Sequence, residues 1–243
     1  MGSRWFLRGV VNGPTPLLLA HKRNSIPPTC ADVLTIETID PAPKRRRRRL
    51  IRFDSGDEVI LRTEAIGHEG LAVGSSIEKK ILLELVATDQ AIQAKEDAAS
   101  WLSRKQYSVK ALSDQLLQSG FPQQVIDPLI ADFGRWGYLD DEALARSLVR
   151  QLGEGKRFGP ARLRQELGRR GIDRDLIDVV ISTDTSDMQE RAIDALTKKD
   201  ASYRRLDRER AQRRMHGYLA RRGFDGQTIR SAIDHVLDSW KST

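Results

Sequence analysis

Three glycines divide the C-terminal part of the chain into segments of nearly equal length. Gly120, Gly171 and Gly223 are 51 and 52 residues apart. Each has a leucine four residues before it, a large apolar residue directly after it, and isoleucines six and ten residues beyond it. Isoleucines four residues apart share one helical face, and glycine can adopt the left-handed conformation that ends a helix. A pattern that recurs three times at near-constant spacing predicts three tandem helical repeats.

Each repeat is predicted to contain three helices, because a further helix-favouring segment precedes each glycine-centred helix pair. These preceding segments are 91–104, 141–152 and 188–198. The repeats are assigned to residues 89–139, 140–186 and 187–243. The predicted fold is therefore mainly α, with tandem three-helix repeats in an elongated array.

Acidic residues at the predicted helix starts have two interpretations. Asp173 and Asp225 are expected to cap the helices that follow their glycines, while Pro122 at the equivalent position of the first repeat should shift the helix start by one residue. A second acidic group opens the middle repeat and consists of Asp140, Asp141 and Glu142. Capping and dipole stabilisation are favoured there over metal binding, because no His or Cys stands nearby.

A short module with strand signals precedes the repeats. Two apolar runs, 50–53 and 59–61, flank the sequence Asp-Ser-Gly-Asp at 54–57, which is typical of a β-hairpin. An apolar helix is predicted at about 77–86. Residues 44–88 are therefore interpreted as a basic block followed by a small β-hairpin/helix module.

The net charge of +7 comes from the N-terminal part of the chain. Residues 1–50 hold ten basic and three acidic residues, which leaves 51–243 neutral. Residues 1–43 contain six of the nine prolines and no sustained periodicity, so they are predicted to form a disordered basic arm. The block Lys44–Arg49 is either a solvated tail or a phosphate-binding segment, and both interpretations remain open.

Cysteine content and hydropathy indicate a compartment. Cys30 is the only cysteine of the chain, so an internal disulfide is excluded and a reducing environment is expected. Glycine, proline and arginine interrupt the apolar stretches near the start, which argues against a signal segment or membrane span. A cytoplasmic protein without a membrane partner is predicted.

Two local basic faces are the candidate binding residues. Residues 156–174 hold seven bases against two acids, and residues 198–222 hold ten bases against three acids. The selected residues are Lys156, Arg157, Arg162, Arg164, Arg169, Arg170, Arg213, Arg214, Arg221 and Arg222. Solvation of helix surfaces is the alternative role for any one of them. Residues 173–194 form an acidic stretch with seven acids and two bases. The chain could therefore bind phosphates through its basic faces and a basic protein surface through this stretch.

Catalytic signatures are missing from the sequence. Nucleophile-elbow, Walker-type, zinc-protease and dinucleotide-binding motifs do not occur, and the four histidines are scattered. A non-enzymatic protein without a cofactor or metal is predicted.

Three stretches resemble the central repeat of the RecX family of recombinase regulators. They are GYLDDEALA at 137–145, FGPARLRQEL at 158–167 and RGI at 170–172. The likeness covers about residues 91–240, and the hairpin module is similar to the N-terminal extension of many members. The resemblance implies a regulator that binds the RecA filament on DNA and dampens ATP hydrolysis, strand exchange and filament growth, as a monomer. The local charges alone leave open a helical nucleic-acid-binding protein.

Overall fold

The computed structural model describes residues 32–43, 47–184 and 187–240 of the 243-residue chain. It divides into two compact units. One contains the residues up to Gln93 together with Leu117–Val125, and the other contains Ala94–Leu116 together with the residues from Ile126 onward. The strands therefore lie in the first unit, and the second and third repeats lie in the second unit.

The strands of the first unit form one antiparallel sheet in the order β3-β2-β1-β4. They are β1 Val33–Pro41, β2 Arg48–Phe53, β3 Glu58–Arg62 and β4 Ser76–Glu78. The predicted hairpin is confirmed as β2 and β3, whose turn is closed by the Phe53 N–H donating to the Asp57 carbonyl at 3.0 Å. Alternate residues on these strands are buried, as expected for a sheet with one face on a core.

The first strand shows that the predicted boundary of the arm is wrong. The sequence predicts disorder for 1–43, but β1 lies between β2 and β4, with Leu34 and Ile36 fully buried. Two buried residues are too few to produce a periodic pattern, and both partner strands come later in the chain. Residues 1–31 and 44–46 lie outside the described residues, so the rest of the arm stays a prediction.

The helix after the sheet is longer than predicted. Following the short α1, Thr63–His68, a single helix of 24 residues, α2, spans Lys79–Leu102. The sequence predicts two helices there, at 77–86 and 91–104. The polar residues between them, Thr88-Asp89-Gln90, are accommodated inside one helix because the sheet supplies partners for Asp89.

Those partners come from β2 and β3. The Asp89 side chain is 1% exposed and accepts hydrogen bonds from Arg48 at 2.9 Å and from Arg62 at 2.7 Å. A buried carboxylate is tolerated only when it is paired in this way. Arg48 belongs to the block predicted to be a tail or a phosphate site, and the structure places it in this internal ion pair instead.

The remaining helices follow the predicted three-helix organisation. They are α3 Val109–Gln118, α4 Gln123–Arg135, α5 Asp141–Arg150, α6 Pro160–Arg169, α7 Arg174–Ser182, α8 Met188–Thr197, α9 Asp200–Tyr203, α10 Arg208–Arg221 and α11 Gly226–Ser239. A π-helical turn, Gln151–Gly155, extends α5. The second repeat is thus α5, α6 and α7, and the third is α8, α10 and α11 with the short α9 between them.

The glycine positions behave as predicted. Gly120, Gly171 and Gly223 have φ of +87°, +79° and +85°, and the next helix begins three residues later in all three repeats. Pro122 therefore does not shift the start of α4, because it occupies the capping position without altering the turn.

The predicted acidic caps are confirmed. Asp173 accepts from the N–H groups of Asp175 and Leu176, and Asp225 caps α11 in the same way. The Thr228 N–H donates to Asp225 at 2.9 Å, and this hydrogen bond, supported by the Thr228 hydroxyl at 2.7 Å, lowers the pKa of the Asp225 carboxyl below its ordinary value.

Each complete repeat of the second unit has its own apolar core. In the second repeat, Ile172 and Ile177 lie on either side of the Asp173 cap and are buried in one cluster with Leu167. Phe224 and Ile229 occupy the equivalent places in the third repeat. The recurring apolar columns therefore form the cores of these two repeats and stabilise them.

Candidate partner-binding surface

Backbone groups join the second and third repeats directly. The N–H of Gly159, which precedes α6, donates to the Arg222 carbonyl at 2.7 Å, and the Ala161 N–H donates to the Gly223 carbonyl at 3.1 Å. A Cβ added at Gly159 would lie 2.5 Å from the Gly223 carbonyl oxygen. Glycine at both positions is what allows the start of α6 to reach the glycine turn of the next repeat.

The first and second repeats are joined at the corresponding sequence positions. Ser108 precedes α3, accepts from the Ala111 N–H at 3.1 Å, and donates its hydroxyl to the Arg170 carbonyl at 2.5 Å. Ser108 and Gly159 both lie twelve residues before the glycine of their own repeat, and both bond to the carbonyl that precedes the next glycine. We call this arrangement the repeat junction.

The acidic group at the start of the second repeat takes part in hydrogen bonds. Asp140 caps α5 by accepting from the Ala143 N–H at 2.9 Å, whereas Asp141 accepts from the Val109 N–H of the first repeat at 2.9 Å. Glu142 pairs with Arg146 on the helix surface. Over residues 32–43, 47–184 and 187–240, no group of three or more His, Cys, Asp or Glu side chains could hold a metal ion.

Three of the ten candidate cations are partly buried and make contacts within the protein. Arg157, which has φ of +53°, forms a close ion pair with Asp194 of the third repeat. Arg222 donates to the Lys156 carbonyl, and its guanidinium lies 4.5 Å from the Tyr218 ring centroid. Arg162 pairs with Glu166 at 2.6 Å. These contacts favour a structural role for the three arginines.

One structural arginine was missed by the sequence reasoning. Arg191 is 8% exposed, pairs with Asp184 at 3.0 Å and donates to the Phe158 carbonyl at 3.3 Å. Its guanidinium lies against Gly153, where a Cβ would come within 2.9 Å. A charge count treats Arg191 like any other arginine, so no sequence signal separates it from the exposed cations.

Four further candidates are exposed but have weak local contacts. Arg164 pairs with Asp178 at 2.8 Å, Arg169 with Glu166 at 3.7 Å, and Arg213 with Glu209 at 3.7 Å, while Lys156 lies 5.9 Å from the Phe158 ring centroid. Exposed ion pairs of this kind contribute about 0–1 kcal/mol. An anionic partner can therefore compete for these side chains at little cost.

The last three candidates are the most available. The side chains of Arg170, Arg214 and Arg221 are exposed, and none of them forms an ion pair with another described residue. Arg170 and Arg221 lie at the ends of α6 and α10, and Arg214 lies in the middle of α10. Arg170 and Arg222 directly precede the glycines Gly171 and Gly223 and both end a helix, but their side chains have different environments.

Charge differs between the repeats. Residues 89–139 hold five bases and six acids, residues 140–186 hold nine of each, and residues 187–243 hold thirteen bases and nine acids. The third repeat therefore attracts a polyanion most strongly.

Three-helix units joined through a recurring junction, with exposed arginines at the end of α6 and on α10, define a helical-repeat protein. Family models described as the second and third three-helix domains of RecX match residues 140–181 and 186–233. A relative from Xanthomonas oryzae pv. oryzae, named Regulatory protein RecX, is 32% identical over 141 residues, which are 58% of this chain and 86% of that protein. The chain belongs to the RecX family of regulatory proteins.

Other similar proteins carry the same name. Regulatory protein RecX of Legionella pneumophila is 30% identical over 154 residues, covering 61% of this chain and 97% of that protein. The counterpart from Prosthecochloris aestuarii is 29% identical over 140 residues, covering 58% and 91%.

Two solved structures share the fold. The crystal structure of a regulatory protein RecX has a TM-score of 0.58 at 23% identity and covers 83% of this chain and 99% of that one. The crystal structure of RecX from Lactobacillus salivarius has a TM-score of 0.57 at 20% identity and covers 61% and 97%. Among the described residues, no helix is long and apolar enough to cross a membrane.

Proposed function

We propose that this protein regulates the RecA recombinase, mainly as an inhibitor, by binding the RecA filament on DNA. Membership of the RecX family supports the regulatory role, and the resemblance noted above implies the partner. On this proposal the protein dampens ATP hydrolysis, strand exchange and filament growth during recombination and repair. It acts in the cytoplasm as a monomer, by binding alone and without a cofactor.

The observation that carries the proposal is the repeat junction. Ser108, through its hydroxyl, and Gly159, through its backbone N–H, each donate to the carbonyl before the glycine of the following repeat, so successive repeats are joined at corresponding positions. Repeats that are joined in a regular way can each contact a successive part of a partner that is itself built from repeated protomers. A recombinase filament is such a partner.

The exposed cations suggest how DNA takes part. Arg214 and Arg221 lie on the most basic repeat and are not engaged in ion pairs with described residues. Phosphate contacts from such side chains add affinity that depends on salt and not on base sequence. We assign DNA contact to α10 and, more weakly, to Arg164, Arg169 and Arg170 of the second repeat.

Binding to nucleic acid alone is the second candidate function. The excess of bases in the third repeat favours it, because a basic helix surface binds phosphates whether or not a protein coats them. The two functions differ in whether RecA bound to the DNA raises the affinity of this protein for the strand.

A titration separates them. Increasing amounts of this protein are added to RecA hydrolysing ATP on single-stranded DNA, and binding to bare and RecA-coated strands is measured in parallel. Inhibition below one molecule per RecA protomer, with much tighter binding to coated strands, is the expected result. Inhibition that only follows DNA occupancy, and that excess competitor DNA removes, would show that the second function is the correct one.

A further inference from the structure

An apolar cleft lies in the part of the first repeat that belongs to the second unit. Its volume is about 670 Å³, large enough for two or more side chains. One wall is a face of α2, formed by Lys95, Ala99 and Leu102, together with Ser103 directly after the helix. The small side chains of Ala99 and Ser103 leave the space open.

The opposite wall is aromatic and held in place. Buried Phe133 contacts the rings of Trp136 and Tyr138 edge-on, with centroids 5.6 and 5.7 Å away. Gly137, with φ of +75°, forms the turn between them. Trp136 is nonetheless 48% exposed and Tyr138 is 63% exposed. Two large rings are thus fixed in position while much of their surface meets solvent, a combination that is typical of an interaction site.

The cleft carries one positive charge. Within the part of the chain that the structure describes, Lys95 is the only charged residue of the lining, and its Nζ lies 4.8 Å from the Trp136 ring centroid. The first repeat as a whole has one more acid than base. A single strand of nucleic acid needs a basic groove beside its stacking rings, and that excess of bases is found in the third repeat instead.

We propose that this cleft binds a protein segment in which a large apolar side chain is next to a carboxylate. The apolar side chain lies against Trp136 and Tyr138, and the carboxylate pairs with Lys95. Trp and Tyr are enriched at the centres of protein interfaces because they bury much area at little cost in side-chain entropy. The segment belongs to the RecA protomer, an assignment that rests on the proposed function. The cleft therefore contacts protein, whereas α10 contacts DNA.

The test uses surface variants of the full chain. Tyr138→Ser removes an exposed ring, and Lys95→Glu reverses the charge. Two variants outside the cleft are the controls. Lys80→Glu reverses an exposed charge on the first unit, and Val179→Ser removes an apolar side chain that is 53% exposed on α7. Affinity is measured by fluorescence anisotropy of labelled protein on RecA-coated strands and, separately, on bare strands. Circular dichroism melting shows whether each variant is folded.

Tyr138→Ser and Lys95→Glu should each weaken binding to coated strands about tenfold or more, while bare-strand binding is unchanged and each variant stays folded. Lys95→Arg keeps the positive charge and should bind coated strands as tightly as the parent. The two control variants, Lys80→Glu and Val179→Ser, should also have the affinity of the parent. Unchanged affinity in both cleft variants would refute the proposed binding role of the cleft while leaving the proposed function intact. A parent that binds coated strands no better than bare strands would instead refute the proposed function, and with it the named partner.

Two other results would assign a different occupant and so overturn the proposal. An equal loss of affinity on bare strands would mean that the cleft stacks a nucleobase. A parent dimer in analytical ultracentrifugation that Tyr138→Ser converts to monomer would mean that a second copy of this chain fills it.

Discussion

Replacing Gly223 with alanine should break the junction between the second and third repeats. With φ of +85°, an L-residue there costs roughly 1–2 kcal/mol. Its Cβ would also lie 2.2 Å from the Arg162 nitrogen, so α6 must move away. That movement breaks the hydrogen bonds donated by Gly159 and Ala161, each contributing about 1 kcal/mol. The free energy of unfolding should therefore fall by about 3–4 kcal/mol in total.

Other glycines separate the two contributions. Gly137 has φ of +75° but no described atom within 4 Å of an added Cβ, so Gly137→Ala measures only the backbone cost. Gly159 has an ordinary φ of −82° but a Cβ clash with Gly223, so Gly159→Ala measures only the lost contact. Gly168, inside α6 and unobstructed, is the control, and Gly168→Ala should raise the stability by roughly 0.5–1 kcal/mol.

Urea denaturation followed by far-ultraviolet circular dichroism gives the free energies of unfolding. Hydrogen exchange of the Gly159 and Ala161 amides reports the junction itself, because both should lose protection in Gly223→Ala while the core amides of α7 keep theirs. If Gly223→Ala were no more destabilising than Gly137→Ala, and both amides stayed protected, the junction would not be a stabilising contact and the reasoning would be refuted.

Three further predictions concern the arm, a cap and the basic helix. Deleting residues 1–31 should leave inhibition of the RecA ATPase intact, which an ATPase titration measures. Deleting residues 1–43 also removes β1 and should unfold the sheet, which circular dichroism measures. The lowered pKa of Asp225 means that its stabilising contribution is present above the unfolded pKa of about 3.9 and is lost as pH falls through the lower folded pKa. Urea denaturation should therefore show a greater loss below that pH in the parent than in Asp225→Asn. Combined Arg214→Glu and Arg221→Glu should weaken inhibition about tenfold or more at unchanged melting temperature, and an unchanged titration would exclude α10 as a contact.

The repeats could be predicted because their signals are local. A leucine, a glycine with positive φ and an acidic cap lie within about ten residues of one another, and each acts on its own stretch of backbone. The tandem repeats, the positive φ of the glycines and the caps Asp173 and Asp225 were therefore predicted correctly. The candidate binding surface was predicted only as a pool of ten cations, since local charge does not show which side chains are already paired.

Longer-range contacts decided what the sequence could not. Asp89 is 41 residues from Arg48. Their pairing accounts for the single helix α2 where two helices were predicted. It also places Arg48, which was predicted to lie in a solvated tail or a phosphate-binding segment, in a buried ion pair.

By itself, then, the sequence determined tandem three-helix repeats with glycine turns, because the backbone conformation of a residue depends on its neighbours along the chain. Only the tertiary structure decided that β1 belongs to the sheet, that Arg157 and Arg222 hold the repeats together while Arg214 and Arg221 are available, and that Trp136 and Tyr138 line a cleft. Each of these depends on the partners that distant segments bring, and neither composition nor periodicity records them.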